Sequence, residues 1–338
     1  MRYYFELSKE YPNIPRLEVI ATLQSLSYDF KIIYQNDDII IVEFDNKYDI
    51  KKIASRLSLV YSISEYLFSV KPDNKEIKKE VENNPIIKKG TIAVRCKNRS
   101  NEIKSTDLLR AITQVYTKDK IVNLTKPDIE IYVLITDDLI HVGILKEQIS
   151  RKQFEQRKAQ YRPFFSPISL HPKIARCLVN LAKVTENDSV YDPFCGTGGF
   201  LIEAGLIGCK LFGSDIEKKM VNGTKQNLEF YHISNDTIFT ADVGKIKDCI
   251  KSPVDAVITD FPYGKATTTN KEELCDLYHR AFNSIYSILK SDGKIIIGLP
   301  SESYIEIIKN KYHIEIVIKI PVHRSLTRYF YVGTKKLP

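Results

Sequence analysis

The chain has 338 residues, enough for two or three domains with cores of their own, and 50 Lys+Arg against 42 Asp+Glu leave a formal net charge of +8. No run approaches the roughly 20 apolar residues of a membrane span, and Met1 to Glu10 lacks the apolar core of a secretory signal, so a cytoplasmic protein is expected. The six cysteines (Cys96, Cys177, Cys195, Cys209, Cys249, Cys275) form no C-x-x-C pair and lack a nearby histidine at zinc-ligand spacing, which argues for buried free thiols and against a structural metal or a disulfide framework.

Positive charge is unevenly spread: residues 51–100 and 151–165 are basic, whereas 1–50 and 101–150 are acidic. Two basic zones suit a polyanion whose phosphates span both parts of the chain; lysines solvating helix faces would explain either zone alone.

In chain order, Tyr3 to Leu7 reads as a strand, Ile14 to Leu26 as a helix, Asp38 to Phe44 as a strand, Asp49 to Leu57 as a helix and Tyr61 to Phe68 as a strand, a small α+β unit with nothing catalytic in it. A charged segment, Lys71 to Lys89, separates it from a strand at Thr91 to Lys97, a helix at Ser105 to Tyr116 and a strand at Ile129 to Ile135. An Asp137-Asp138 turn then leads into a strand at Leu139 to Leu145. This order resembles a THUMP domain, an RNA-binding module of tRNA-modifying enzymes, and Lys88, Lys89, Arg95, Lys97 and Arg99 are its candidates for phosphate contact.

Residues 151–167 read as a linker, where Pro163, Pro167 and Pro172 argue for an extended, stiff connection and against a helix. Ser169 to Arg176 opens a helix running through Ala182, with Pro172 tolerated in its first turn; His171 is compatible with a cap, a surface residue or an RNA contact.

From Ser189 the alternation becomes regular. Strands are predicted at Ser189 to Asp192, Lys210 to Asp215, Thr237 to Thr240, Val254 to Asp260 and Lys294 to Leu299. Helices are predicted at Gly198 to Ile207, Ile216 to Tyr231 and Glu272 to Leu289, with a short one from Ser301. Such βα repeats imply a mostly parallel, doubly wound sheet.

Chemistry concentrates at the carboxyl ends of these strands. The turn Asp192-Pro193-Phe194-Cys195-Gly196-Thr197-Gly198-Gly199 lets a ligand approach the backbone, yet Leu201 stands where the third glycine of a dinucleotide motif belongs, which disfavours NAD. Asp215 is placed to accept two ribose hydroxyls and Asp242 the amine of an adenine, with Ile216 and Val243 beside them; each acid alone would equally serve as a cap. Together, and without a phosphate-binding lysine, they describe a nucleoside cofactor that carries no phosphates, a description S-adenosylmethionine fits.

The last feature is Asp260-Phe261-Pro262-Tyr263-Gly264, at the end of a buried strand. An aspartate and the carbonyl before a tyrosine are two acceptors beside an aromatic face, a set suited to an exocyclic amine on a nucleobase; an ordinary strand-ending turn uses the same residue types.

On these motifs, together with Arg162-Pro163 to His171-Pro172 and the segment His323 to Arg328, the chain resembles over essentially its full length the archaeal tRNA guanine-10 N2-methyltransferase family. The resemblance implies an α/β protein: a C-terminal Rossmann-like class I methyltransferase domain at 168–338, an N-terminal α+β ferredoxin-like domain at 1–70 and a THUMP domain at 71–150 that takes in part of the preceding unit. It further implies S-adenosylmethionine as cofactor, tRNA as partner, no metal and a monomer. Asp260, Pro262 and Tyr263 become the catalytic clamp, Asp192, Pro193, Cys195, Gly196, Thr197, Gly198, Asp215, Ile216, Asp242, Val243 and Asp260 the cofactor site, and Arg162, His171, His323, Arg324 and Arg328 further RNA contacts. Phe261 replaces the first proline of the family's D-P-P-Y type motif and is expected to loosen the turn. The alternatives are methylation of another guanine such as position 6 of tRNA, a DNA adenine methyltransferase, and a non-catalytic RNA-binding protein with a relict cofactor fold.

Overall fold

The computed structural model describes residues 1–166, 169–235, 237–263, 273–323 and 326–337. The chain forms two compact units, one of Met1–Arg16, Tyr28–Ser55 and Val60–Ser150, the other of Leu17–Ser27, Arg56–Leu59 and Arg151–Pro338.

Up to residue 150 the elements are β1 (Arg2–Leu7), α1 (Ile14–Ser25), β2 (Phe30–Gln35), β3 (Ile39–Phe44), α2 (Ile50–Arg56), β4 (Val60–Val70), α3 (Asn74–Asn83), β5 (Ile92–Asn98), α4 (Ser105–Tyr116), β6 (Ile129–Ile135) and β7 (Ile140–Gln148). The seven strands make one sheet in the order β2-β3-β1-β4-β7-β6-β5. The boundary expected at residue 70 is therefore no break: β4 pairs with β7 from Ser62↔Gln148 to Val70↔Ile140, so segments 1–70 and 71–150 share a sheet. Ile77 and Val81 of α3 and Leu108 and Ile112 of α4 cover its β6–β7 end, against Ile131, Val133 and Val142.

Up to residue 150, two elements escape the sequence reading for identifiable reasons. Helix α3 is charged or polar everywhere except at Ile77 and Val81, one turn apart, and starts on Asp73, whose side chain accepts from the Lys75 and Glu76 amides. Strand β2 lies at the edge of its sheet with every second residue exposed, and its apolar run is only the three residues Ile32-Ile33-Tyr34.

The second unit continues with α5 (Lys152–Gln156), a 3-10 turn (Ala159–Tyr161), α6 (Pro172–Leu181), β8 (Ser189–Asp192), α7 (Gly199–Gly205), β9 (Lys210–Asp215), α8 (Lys218–Phe230), β10 (Ile238–Thr240) and α9 (Ile246–Cys249). After these come β11 (Val254–Asp260), α10 (Leu274–Ile288), β12 (Leu289–Leu299), α11 (Ile305–Lys309), β13 (Tyr312–His323) and β14 (Leu326–Lys335). The extended linker expected at 151–167 is corrected in its first half, where Phe154 is buried on α5; the prolines begin only at Pro163 and restrict the chain after that point.

Its sheet runs β10-β9-β8-β11-β12-β14-β13, parallel from β10 to β12, with β14 antiparallel to both β12 and β13. The chain leaves β8 for β9 and β10 on one side and returns to β11 and β12 on the other, so the order reverses between β8 and β11. A crevice opens at such a switch, outside the carboxyl ends of the strands. Parallel strands need helices on both faces, which is why β11 is almost wholly buried.

Three cysteines (Cys177, Cys195, Cys209) are buried as expected, but Cys96 is half-buried and Cys249 and Cys275 are exposed, the first at the end of the short α9 and the second in the first turn of α10. Among the described residues no helix is long and apolar enough to cross a membrane, and no group of three His, Cys, Asp or Glu stands where it could hold a metal ion.

Candidate active site

At the end of β8 the chain turns sharply back over the sheet. The Cys195 amide donates to the Ser214 carbonyl at 2.9 Å and the Gly198 amide to the Cys195 carbonyl at 2.7 Å. Gly196 and Gly198 adopt φ of 52° and 78°, a region that costs most side chains about 1 kcal/mol or more and glycine nothing. Gly198 also faces Thr224 of α8 so closely that a Cβ would fall 2.9 Å from its methyl group.

Asp192 closes the turn from below. Its Oδ1 accepts the Thr259 hydroxyl at 2.6 Å and the Phe194 amide at 3.2 Å. Burial, with Asp215 and Asp260 nearby, pushes its carboxyl up to about 7 from an ordinary 3.8. A folded value above the unfolded one favours the native state fully below about pH 4, and that advantage is lost as pH rises through about 7. Relative to wild type, Asp192→Asn is therefore expected to gain a few kcal/mol of stability between pH 5 and pH 8, read by urea unfolding at both. A constant difference between the two proteins would show that Asp192 does not titrate in this window.

Asp215, at the end of β9, accepts the Gly196 amide on Oδ2 and the Glu217 amide on Oδ1, both at 3.0 Å, and burial raises its pKa. Each oxygen keeps a lone pair. Ile216 follows it, 41 % exposed, an apolar surface left open beside the acid. After β10, Asp242 accepts the Gly244 amide at 2.8 Å and pairs with Arg280 of α10, while Val243 is buried next to it.

These groups line a cleft of about 320 Å³, within the usual range for a small-molecule site. Five acids (Asp192, Asp215, Glu217, Asp242, Asp260) face it, and its two arginines are paired, Arg280 with Asp242 and Arg328 with Asp260. Such a lining repels phosphates and suits a ligand that carries a diol and a positive charge. The lining thus fits S-adenosylmethionine: Asp215 as acceptor for the ribose hydroxyls, Ile216 and Val243 for the flat adenine faces, and the acidic wall for the sulfonium.

Across the switch point stands the end of β11. Asp260 pairs in register with Gly298 of β12, and a Cβ on Gly298 would overlap its carboxylate. Oδ1 accepts the Tyr263 hydroxyl at 2.5 Å; Oδ2 lies 3.3 Å from Nε of Arg328, a 3 % exposed side chain on β14. Burial raises the Asp260 pKa, and the guanidinium and the tyrosine hydroxyl oppose that rise.

The turn beyond Asp260 is tightened by Phe261, which corrects the expectation that this residue loosens it. The Phe261 amide donates to the Gly298 carbonyl at 3.0 Å, a bond that proline cannot make. Its buried ring packs between Phe194, Phe282 and Tyr278, with centroids 4.8, 5.0 and 5.2 Å away. The Tyr278 hydroxyl donates to the Pro262 carbonyl at 2.7 Å.

Residues 159–329 match the family described as RMKL-like, methyltransferase domain, and residues 74–145 match the THUMP domain. A tRNA (guanine(10)-N2)-dimethyltransferase from Methanothermobacter thermautotrophicus is 33% identical over 95% of this chain and 96% of its own. The chain belongs to the archaeal tRNA (guanine(10)-N2)-dimethyltransferase family. A second member, from Pyrococcus abyssi, is 39% identical over 72% of this chain and 74% of its own length. In fold, the chain is similar to TrmN from Thermus thermophilus, with a TM-score of 0.57 over 99% of this chain and 100% of that one at 15% identity.

Within this family member, the cleft collects Asp192, Pro193, Cys195, Thr197, Asp215, Ile216, Asp242, Val243, Asp260, Pro262, Tyr263 and Arg328, while Gly196 and Gly198 shape the turn behind it. Two residues of α10 escape the sequence reading: Tyr278 lies on the buried face of a helix that reads as core, and Arg280 lies off that face, 36 % exposed, where it reads as a solvated charge. Arg328 was expected at tRNA phosphate and instead turns inward to Asp260.

Other expected RNA contacts are also redirected. Arg162 is buried and its Nε donates to the Arg157 carbonyl at 2.9 Å, so it presents no charge to a backbone phosphate. His171 caps α6, its Nδ1 accepting the Lys173 amide at 3.2 Å while Nε2 meets Glu155 at 3.2 Å. In the first unit, Lys97 and Arg99 neutralise the fully buried Glu6, at 2.8 and 2.5 Å. A buried carboxylate requires such partners; Arg99 is thereby withdrawn from the surface, whereas the Lys97 side chain stays 41 % exposed. Arg95 pairs with Glu130 at 3.1 Å yet stays partly exposed, and Lys88 and Lys89 are exposed beside Ile87. Arg324 and Gly264 lie outside the described residues, and of His323 only the backbone at the end of β13 is described.

Proposed function

We propose that this protein transfers methyl groups to the exocyclic N2 of guanine 10 in tRNA, first one and then a second, in the cytoplasm and with S-adenosylmethionine as donor. The observation that carries the reading is the placement of the Asp260 carboxylate and the Pro262 carbonyl in the same cleft as the diol acceptor Asp215, across the switch point of the sheet. Bound S-adenosylmethionine supplies an electrophilic methyl group.

The chain's own residues orient and desolvate the nucleophile. Asp260 Oδ1 keeps a lone pair for an amine hydrogen beside the Tyr263 hydroxyl, and the Pro262 carbonyl keeps one beside Tyr278. Holding both hydrogens turns the nitrogen lone pair toward the donor, and such alignment is the main source of rate in a displacement of this kind. Asp260 then takes the proton that the methylated nitrogen must lose, and Arg328 beside it keeps the carboxylate in its acceptor form beforehand. Tyr263 offers the ring against which the base stacks. A stem guanine has to leave its helix to reach this site, at a cost of a few kcal/mol, which phosphate contacts by exposed residues such as Lys88 and Lys89 help to offset.

The test is transfer of labelled methyl from S-adenosylmethionine to a tRNA transcript, followed by nucleoside mass spectrometry. Mono- and then dimethylguanosine are expected, and changing guanine 10 of the transcript to adenine should abolish both. Label persisting in the adenine-10 transcript would assign the enzyme to another position.

A further inference from the structure

Resting on that reading of the cleft, we propose that Tyr278 is a positioning residue that aims the Pro262 carbonyl at the guanine amine for the first methyl transfer, and that the second transfer proceeds without that carbonyl.

Tyr278 lies on α10 with no exposed surface, its ring held edge-on by Phe261 at 5.2 Å and by Tyr304 at 4.9 Å. Its hydroxyl, which burial keeps firmly protonated, reaches the Pro262 oxygen at 2.7 Å and uses one of that oxygen's two lone pairs. On the other side of the turn the Phe261 amide is tied to the Gly298 carbonyl at 3.0 Å. Pinned from both sides, the carbonyl has a single direction left for its remaining lone pair, and Pro262 lines the cleft.

The two transfers make different demands on this acceptor. In the first, the amine has two hydrogens, one for Asp260 and one for the Pro262 carbonyl. The N–C bond forms as the donor's S–C bond breaks, and the charged nitrogen then gives one proton to the Asp260 carboxylate. In the second, a single hydrogen remains, and it too must leave as a proton. A carboxylate is far more basic than an amide oxygen, and its hydrogen bond is charge-assisted, so that last hydrogen faces Asp260. The first methyl group then occupies the place beside the Pro262 carbonyl, whose lone pair receives nothing.

The experiment measures single-turnover rates on unmodified tRNA and on tRNA already monomethylated at guanine 10, for wild type, Tyr278→Phe and, as a neighbouring hydroxyl, Tyr304→Phe. Tyr278→Phe is expected to slow the first transfer about tenfold and the second less than about twofold, with S-adenosylmethionine affinity by calorimetry unchanged. Tyr304→Phe should alter neither rate. Because the two rates are compared within one preparation, any loss of folded protein cancels from their ratio. Equal slowing of both transfers by Tyr278→Phe, or slowing of neither, overturns the proposal. A wild-type enzyme that forms no N2-methylguanosine would instead overturn the reading on which it rests.

Discussion

Asp260→Asn is expected to lower methyl transfer to tRNA by about 10³-fold while S-adenosylmethionine affinity stays within about threefold, a magnitude typical of removing a group that both orients and takes a proton. Asparagine keeps the shape of the side chain beside Gly298, so the turn should survive. What changes is chemistry. The amide offers a single acceptor oxygen, its nitrogen is a donor that opposes either Arg328 or the substrate amine, and it has no basicity with which to take the departing proton. Single-turnover transfer and calorimetry measure the two quantities separately. Activity within tenfold of wild type would remove Asp260 from the mechanism; a parallel loss of cofactor binding would place its role in the acidic wall that meets the sulfonium instead of at the substrate amine.

Phe261→Ala should destabilise the second unit by about 3–5 kcal/mol, the usual cost of emptying a buried aromatic site. Its ring is the common neighbour of Phe194, Tyr278 and Phe282 in a core that continues through Ile295 and Ile297 to Tyr331. For a unit of this size the loss corresponds to a fall in Tm on the order of 10 °C, readable by calorimetry on the full chain. Phe261→Pro, which restores the residue found in the family's motif, should be no better, since it removes the ring and also the amide bond to Gly298. An unchanged Tm in Phe261→Ala would mean that the cluster repacks around the gap and that the aromatic ring carries no weight in holding the turn.

The contrast between these two positions shows what kind of information each level carries. Asp260 was legible because a long apolar run ending in Asp-x-Pro-Tyr marks both a buried strand and its carboxyl end. Asp192 and Asp215 were legible for the same reason, since a βα repeat puts successive strand ends on one edge of the sheet. Phe261 was misread because its two determinants, a carbonyl on β12 and three rings from elsewhere in the chain, are remote in sequence. The THUMP unit behaves alike: its strands were found from their runs, yet the pairing of β4 with β7 joins residues roughly seventy to ninety apart and was invisible as a register.

Composition, strand periodicity and turn chemistry thus determined the class of fold and pointed to a nucleoside-type cofactor and to the residues proposed as the amine clamp, because these depend on residues that are neighbours in sequence or that repeat with the period of a strand. The tertiary structure alone decided the fate of the charges and of the second acceptor. A cation's role depends on which acid burial leaves in need of a partner: Lys97 and Arg99 go to Glu6, Arg280 to Asp242, and Arg328 to Asp260. The Pro262 carbonyl, likewise, takes its direction from Tyr278, a residue that sequence alone assigns to the core and that only helix packing brings to the clamp.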